Sequence, residues 1–180
     1  SYDDFAIRCN IITLADGKII THNGGNLETD DARVLIDYLN ETLAKPVNER
    51  EGCERVKFIC GIQYRHLLVI KGGNKHIDCA PPHDHPNEDW RPLLVQPESV
   101  ASGFAADNRL SPQQTADLIN ELILRSQELL PQHPYNIEKA RHGERQANSI
   151  WPWSGGYRPS MQTLMQQYSE IKNGSVISAV

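Results

Sequence analysis

A domain of the α/β (α+β) class, with helices packed on a mixed sheet, is predicted by three observations. Apolar residues alternate with polar ones at the strand period over 5–14, and strand-like runs recur at 56–60 and 66–71. Two segments, 30–43 and 112–130, repeat their apolar residues at the helix period. Turn-forming pairs rich in Gly, Asp and Asn separate these segments. The 180 residues, 39% apolar and 23% charged, suit one soluble globular domain whose core needs neither disulfide nor metal.

In order along the chain, Phe5, Ile7, Cys9 and Ile11 alternate with Ala6, Arg8 and Asn10, which gives a strand with one apolar face. Asp16-Gly17 suits a tight hairpin turn because glycine accepts positive φ, and residues 18–21 form the return strand. His22 to Asn26 is a loop by composition. Thr29 is placed to cap a helix over 30–43, where Asp30 and Asp31 complement the positive helix end. Leu35, Ile36, Leu39 and Leu43 form its apolar stripe, and Pro46 is expected to end it. The strands at 56–60 and 66–71 are joined by 61–65, and a turn at 72–74 leads to a short strand over 75–79. Residues 80–112 are Pro-rich and aperiodic, and connections of that length are often functional. Ser111-Pro112-Gln113-Gln114 spells a capping box at the start of the next helix. A helix over 137–146 capped by Asn136, another over 161–172 capped by Ser160, and a strand over 175–180 complete the pattern. The first residue is not Met and the last strand has no turn signal, so a piece of a longer protein is expected.

Composition excludes several classes. The net charge of −5, with 18 Lys and Arg, argues against general binding to nucleic acid or a membrane surface. No apolar run approaches the ~18 residues of a membrane span, and the acidic start lacks signal-peptide order. Cys9, Cys53, Cys60 and Cys79 fit no zinc spacing and are expected as reduced thiols of a cytoplasmic protein. Nucleotide-loop, nucleophile-elbow and metalloprotease motifs are absent.

Three segments could carry chemistry. Arg65 and His66 open one strand and Lys71 closes it; a guanidinium fork and an imidazole suit an anion, although a solvated turn would have the same composition. His83, Asp84 and His85 crowd a Pro-rich loop, where a carboxylate could orient a His base, but no spaced third ligand supports a metal site. Arg141, Asn148, Trp151 and Trp153 follow the second helix; Trp-Pro-Trp makes a stiff wall for a pocket, or equally a filling for the core.

Taken together and in order, these segments resemble the archaeal-type, cofactor-independent phosphoglycerate mutase family of the alkaline phosphatase superfamily. The resemblance rests on residues 5–10, 16–17, 29–43, 64–71 and 81–84, on His133-Pro134, Asn136, Arg141 and Gly143, and on 147–153 and 174–180. It implies that residues 1–180 are a single inserted domain that caps a phosphatase-like core lying outside the chain. The core would supply the nucleophilic Ser and two divalent metal ions (Mn, Mg or Zn), and this chain would bind none. The implied reaction interconverts 3-phosphoglycerate and 2-phosphoglycerate through a phosphoserine enzyme. The resemblance then implies that Arg65, His66, Lys71, Arg141, Asn148, Trp151 and Trp153 hold substrate, while His83 and Asp84 orient it or move a proton. The implied partners are a phosphorylated small molecule and the rest of the polypeptide, and the isolated chain would be inactive. Residues 85–90 and Trp153-Ser-Gly-Gly156 depart from the family pattern. A homoserine kinase-like or phosphonopyruvate decarboxylase-labelled relative, or a non-catalytic binding domain, therefore stand as alternatives.

Overall fold

The computed structural model describes residues 4–99 and 110–157. The helix expected over 161–172 and the strand over 175–180 lie outside them. Strand β1 (Asp4–Ala15) is the axis of the fold. It pairs with β4 (Arg65–Lys71) along residues 4–10, with β7 (Ser149–Tyr157) along residues 5–12, and with β2 (Lys18–Thr21) along residues 13–15. Strand β3 (Val56–Ile62) pairs with β4. Every described pair in this sheet is antiparallel, which corrects the expected mixed sheet within the expected α+β class. The Asp16-Gly17 turn forms as predicted, with φ 50° and 73°.

Helix α1 (Thr29–Leu39) lies on β3, and α3 (Pro112–Leu129) lies on β7. Phe5, Ile7, Cys9 and Ile11 are buried in one core with Leu35, Ile36 and Leu39 of α1 and Ile119, Leu122 and Ile123 of α3. The α3 capping box is present: the Ser111 hydroxyl accepts from Gln114 N–H, and the Gln114 side chain accepts from Ser111 N–H. A small second sheet joins β5 (Ile77–Asp78) to β6 (Gln96–Pro97), so the strand expected over 75–79 shrinks to two residues.

Pro46 does not end the first helix. After Leu39 the chain makes a π turn (Asn40–Ala44) and continues into α2 (Lys45–Glu51), where Pro46 occupies the first turn and needs no hydrogen-bond partner. Asn40 and Asn48 then clamp β3. Asn40 binds both backbone polar groups of Phe58, at 3.0 Å each, and Asn48 binds those of Val56 at 2.7 and 2.9 Å. These amides satisfy backbone groups of β3 that β4 does not pair, which protects an edge strand.

Two cap assignments are corrected. Glu28, not Thr29, precedes α1; the Thr29 hydroxyl instead accepts from Gln63 N–H, at 3.1 Å, and ties the helix start to the β3–β4 turn. Helix α4 (Pro134–Arg141) is capped by His133, whose ring accepts from Tyr135 N–H, and Asn136 lies buried inside it, bound to both backbone groups of Ala147. Strand β7 carries Pro152 and two glycines, so its sequence does not read as a strand. A bulge at Ser154, with φ 54°, shifts its register between Ile7 and Arg8 of β1. Gly155 is required just beyond it, since a Cβ there would come within 2.3 Å of the Phe5 ring.

Candidate functional site

Alternation along β1 sends Arg8 and Asn10 to the sheet face opposite the helices. Cross-strand partners share a face, so Arg65 joins Asn10, while Leu67 and Trp153 join Arg8. These residues floor a cleft of about 700 Å³ that is also lined by His22, Ile59, Tyr64, His66 and His83. The segment carrying His83 is held over the sheet by the β1–β2 hairpin: Asn87 N–H donates to Ile19 at 2.8 Å, and Ile19 N–H donates to Glu88 at 3.0 Å. Beneath it, the buried Trp151 indole donates to the Ala80 carbonyl at 2.9 Å.

The cleft is aromatic and cationic. The Arg8 guanidinium lies 5.1 Å from the Trp153 ring centre, and that of Arg65 lies 5.3 Å from the Tyr64 ring. The His83 ring stands edge-on to Trp153 at 5.0 Å and to His22 at 6.1 Å, and His22 stands edge-on to Tyr64 at 5.6 Å. Among the described residues no Asp or Glu lines the cleft, and neither Arg8 nor Arg65 has a carboxylate partner. Two guanidinium forks on aromatic rings, with no carboxylate partner among the described residues, are suited to receive phosphate or carboxylate.

Of the residues singled out by sequence, the structure brings together Arg65, His66, His83 and Trp153. It does not bring the others there. Lys71 lies at the far end of β4, roughly 20 Å along the strand from Arg65, and holds Glu54 at 2.7 Å. Arg141 is exposed on α4 beside Glu138 at 3.3 Å. Asn148 extends the β7 ladder with its side chain, bonding both backbone groups of Leu14 at 2.8 Å. Trp151 is buried under the Ala80 segment. Asp84 is exposed and stands 3.7 Å from His83 Nε2, too far to orient it by a hydrogen bond.

His66 differs from the rest in facing the core. Its Nδ1 accepts from Gly61 N–H at 3.2 Å, and its buried Nε2 has no partner among the described residues. Burial pulls its pKa down to about 4, so the ring is neutral at pH 7. Burial pushes the thiols of Cys9 and Cys79 up to about 12, which removes them as nucleophiles. Among the described residues no three His, Cys, Asp or Glu side chains converge to hold a metal ion, and His85 is occupied by Glu88 at 2.9 Å. The described residues therefore do not fit a metal centre.

Arg8, Asn10 and His22 were not singled out from sequence. The available signal was alternation: a polar residue in a strand with one apolar face points to the other face, and Arg8 and Asn10 do so on adjacent rungs.

The sequence pattern of the 2,3-bisphosphoglycerate-independent phosphoglycerate mutases matches residues 1–136. The chain is 35% identical over 181 residues to the mutase of that name from Methanosarcina acetivorans, covering 99% of this chain and 38% of that protein. It is 37% identical over 179 residues to the 2,3-bisphosphoglycerate-independent phosphoglycerate mutase 2 of Methanothermobacter thermautotrophicus, again covering 99% and 38%. Its fold matches a solved cofactor-independent phosphoglycerate mutase from Thermoplasma acidophilum with a TM-score of 0.63, at 21% identity over 93% of this chain and 40% of that one. The chain thus spans 38% of the length of these curated relatives.

Proposed function

The chain belongs to the 2,3-bisphosphoglycerate-independent phosphoglycerate mutase family, and on that premise we propose that it is the substrate-binding cap of such an enzyme. The observation that carries this reading is the pair of carboxylate-free guanidiniums, Arg8 and Arg65, across one cleft. Arg8 is opposite Leu67, and Arg65 lies two residues along the same strand face. Such diagonal neighbours stand roughly 7–8 Å apart at the backbone, a span that long side chains close onto a short ligand with two anionic ends. A phosphoglycerate carries a phosphate and a carboxylate. Phosphoryl transfer depends on positioning and charge stabilisation, and fixed forked donors supply both.

In this reading Arg8 and Arg65 hold the two anionic groups. Trp153 and Tyr64 fix the guanidiniums, and His83, inside the cleft, exchanges the proton of a substrate hydroxyl. The covalent step and the metal ions implied by the family resemblance belong to the rest of the enzyme, and this chain alone binds without turnover. Homoserine fits less well, because its ammonium would find no carboxylate among the lining residues. Phosphonopyruvate shares the two anionic groups and is separated only by assay. Calorimetry of this chain with 3-phosphoglycerate and with homoserine is the direct test. Binding of the first alone supports the reading, and binding of homoserine alone overturns it. Mutase activity in the full-length gene product, absent from this chain by itself, completes it.

A further inference from the structure

The walls of the cleft close on themselves. Trp153 touches His83, His83 touches His22, and both ends of that arc return to Asn10. The Trp153 indole donates to Asn10 Oδ1 at 3.1 Å, and Asn10 Nδ2 donates to the His22 carbonyl at 3.1 Å. The aromatic contacts in this circuit are edge contacts between rings that can tilt and slide. The two bonds of Asn10 are directional, and Asn10 is only 3% exposed, so water does not readily replace them. Arg8 rests on Trp153, and Arg65 rests on Tyr64, whose ring meets His22. The relative placement of the two guanidiniums thus passes through one amide. Asn10 also shares its rung with Arg65.

We propose that Asn10 is the positioning residue of the cleft, holding the Trp153 and His22 walls, and with them Arg8 and Arg65, at the ligand-ready separation before ligand arrives. The inference rests on the anion reading above. It requires that part of the effect of Asn10 pass through Trp153 and the rest through His22, whereas a residue that merely fills space would act independently of Trp153.

Two measurements on this chain test it. The first needs no ligand. In Asn10→Ala the indole N–H resonance of Trp153, assigned by its loss in Trp153→Phe, should shift and exchange with solvent at least about tenfold faster, while that of Trp151 stays put; an unmoved Trp153 resonance overturns the proposal. The second is a double-mutant cycle on 3-phosphoglycerate affinity. Asn10→Ala should weaken binding about tenfold in the wild-type background and by a smaller factor, about threefold, when Trp153 is already Phe, because the bond to His22 is still there to lose. Additive losses, or no loss, overturn the proposal. Asn10→Ser, which keeps a small polar group, guards against loss of folding and should give an intermediate exchange rate. Lack of binding by the wild-type chain would instead refute the anion reading, and the inference with it. Normal binding with an unaffected Asn10→Ala refutes the inference alone.

Discussion

On one face of the central sheet, Phe5, Ile7, Cys9 and Ile11 lie fully buried under α1 and α3. On the other, Arg8, Asn10, Arg65, Leu67 and Trp153 floor a cleft, and Leu67 and Ile59 remain 41% and 43% exposed. Both faces draw on alternate residues of β1 and differ by a single residue in register. The covered face derives its energy from removing apolar area from water, and it is tolerant of which residue supplies that area. The open face derives its chemistry from a few polar groups, two guanidiniums open to water and one buried amide, where direction and charge decide the outcome. A substitution on the first should therefore change stability, and one on the second should change binding.

The largest effect is expected on the covered face. Ile7→Ala, at a fully buried site, should cost about 2–5 kcal/mol in urea melts. Affinity for 3-phosphoglycerate should be unchanged in whatever fraction stays folded, and a selective loss of affinity would blur the division between faces.

His66 tests the boundary between them. Its pKa falls from 6.5, the value of a solvated histidine, to about 4 in the folded chain because burial disfavours the cation. The unfolded chain therefore binds the extra proton first as pH falls. Stability should be unaffected above pH ~6.5, decline as pH drops from ~6.5 to ~4, and lose in all ~3 kcal/mol by the lower limit. His66→Gln, which keeps an acceptor for Gly61 N–H, should flatten that part of the pH–stability curve from urea melts. An unchanged slope would assign the acid sensitivity elsewhere.

On the open face, Arg65→Lys keeps the charge but loses the planar fork. It should weaken 3-phosphoglycerate binding by at least about tenfold, or ~1.4 kcal/mol, with stability within ~0.5 kcal/mol of wild type. Arg8→Lys should behave alike, since its guanidinium rests on Trp153 in the same way. Calorimetry paired with urea melts separates the two quantities, and a stability loss without an affinity loss would make these residues structural.

The smallest effect is expected at Arg141 and Lys71. Both are exposed and paired to carboxylates outside the cleft, where an ion pair contributes little. Arg141→Lys and Lys71→Met should each change affinity by less than about twofold. A tenfold loss at either would mean that the binding surface extends well past the cleft.

Local periodicity and local hydrogen bonding were enough to define part of this protein. The alternation of β1, the Asp16-Gly17 turn, the apolar stripe of α1 and the Ser111 capping box are settled within a few residues, and all four are present in the fold. Arg65 was also readable as an anion-suited side chain, His83 as a candidate base and Trp153 as an aromatic wall, because guanidinium, imidazole and indole bring those properties wherever they are placed, and the structure lines one cleft with all three. Other features exist only through long-range contacts. Strand β7 is hidden by Pro152 and its glycines, and only pairing along β1 makes it a strand. Pro46 reads as a stop, yet a π turn stitched to β3 through Asn40 carries the helix past it. Asn148, Asn10 and Asn136 look alike in a sequence. One mends a ladder, one joins two walls of a cleft, and one locks a helix to the segment before β7. An amide's role is set by which polar groups, backbone or side chain, the fold leaves beside it, and that depends on partners more than a hundred residues away in the chain for Asn10 and Asn148.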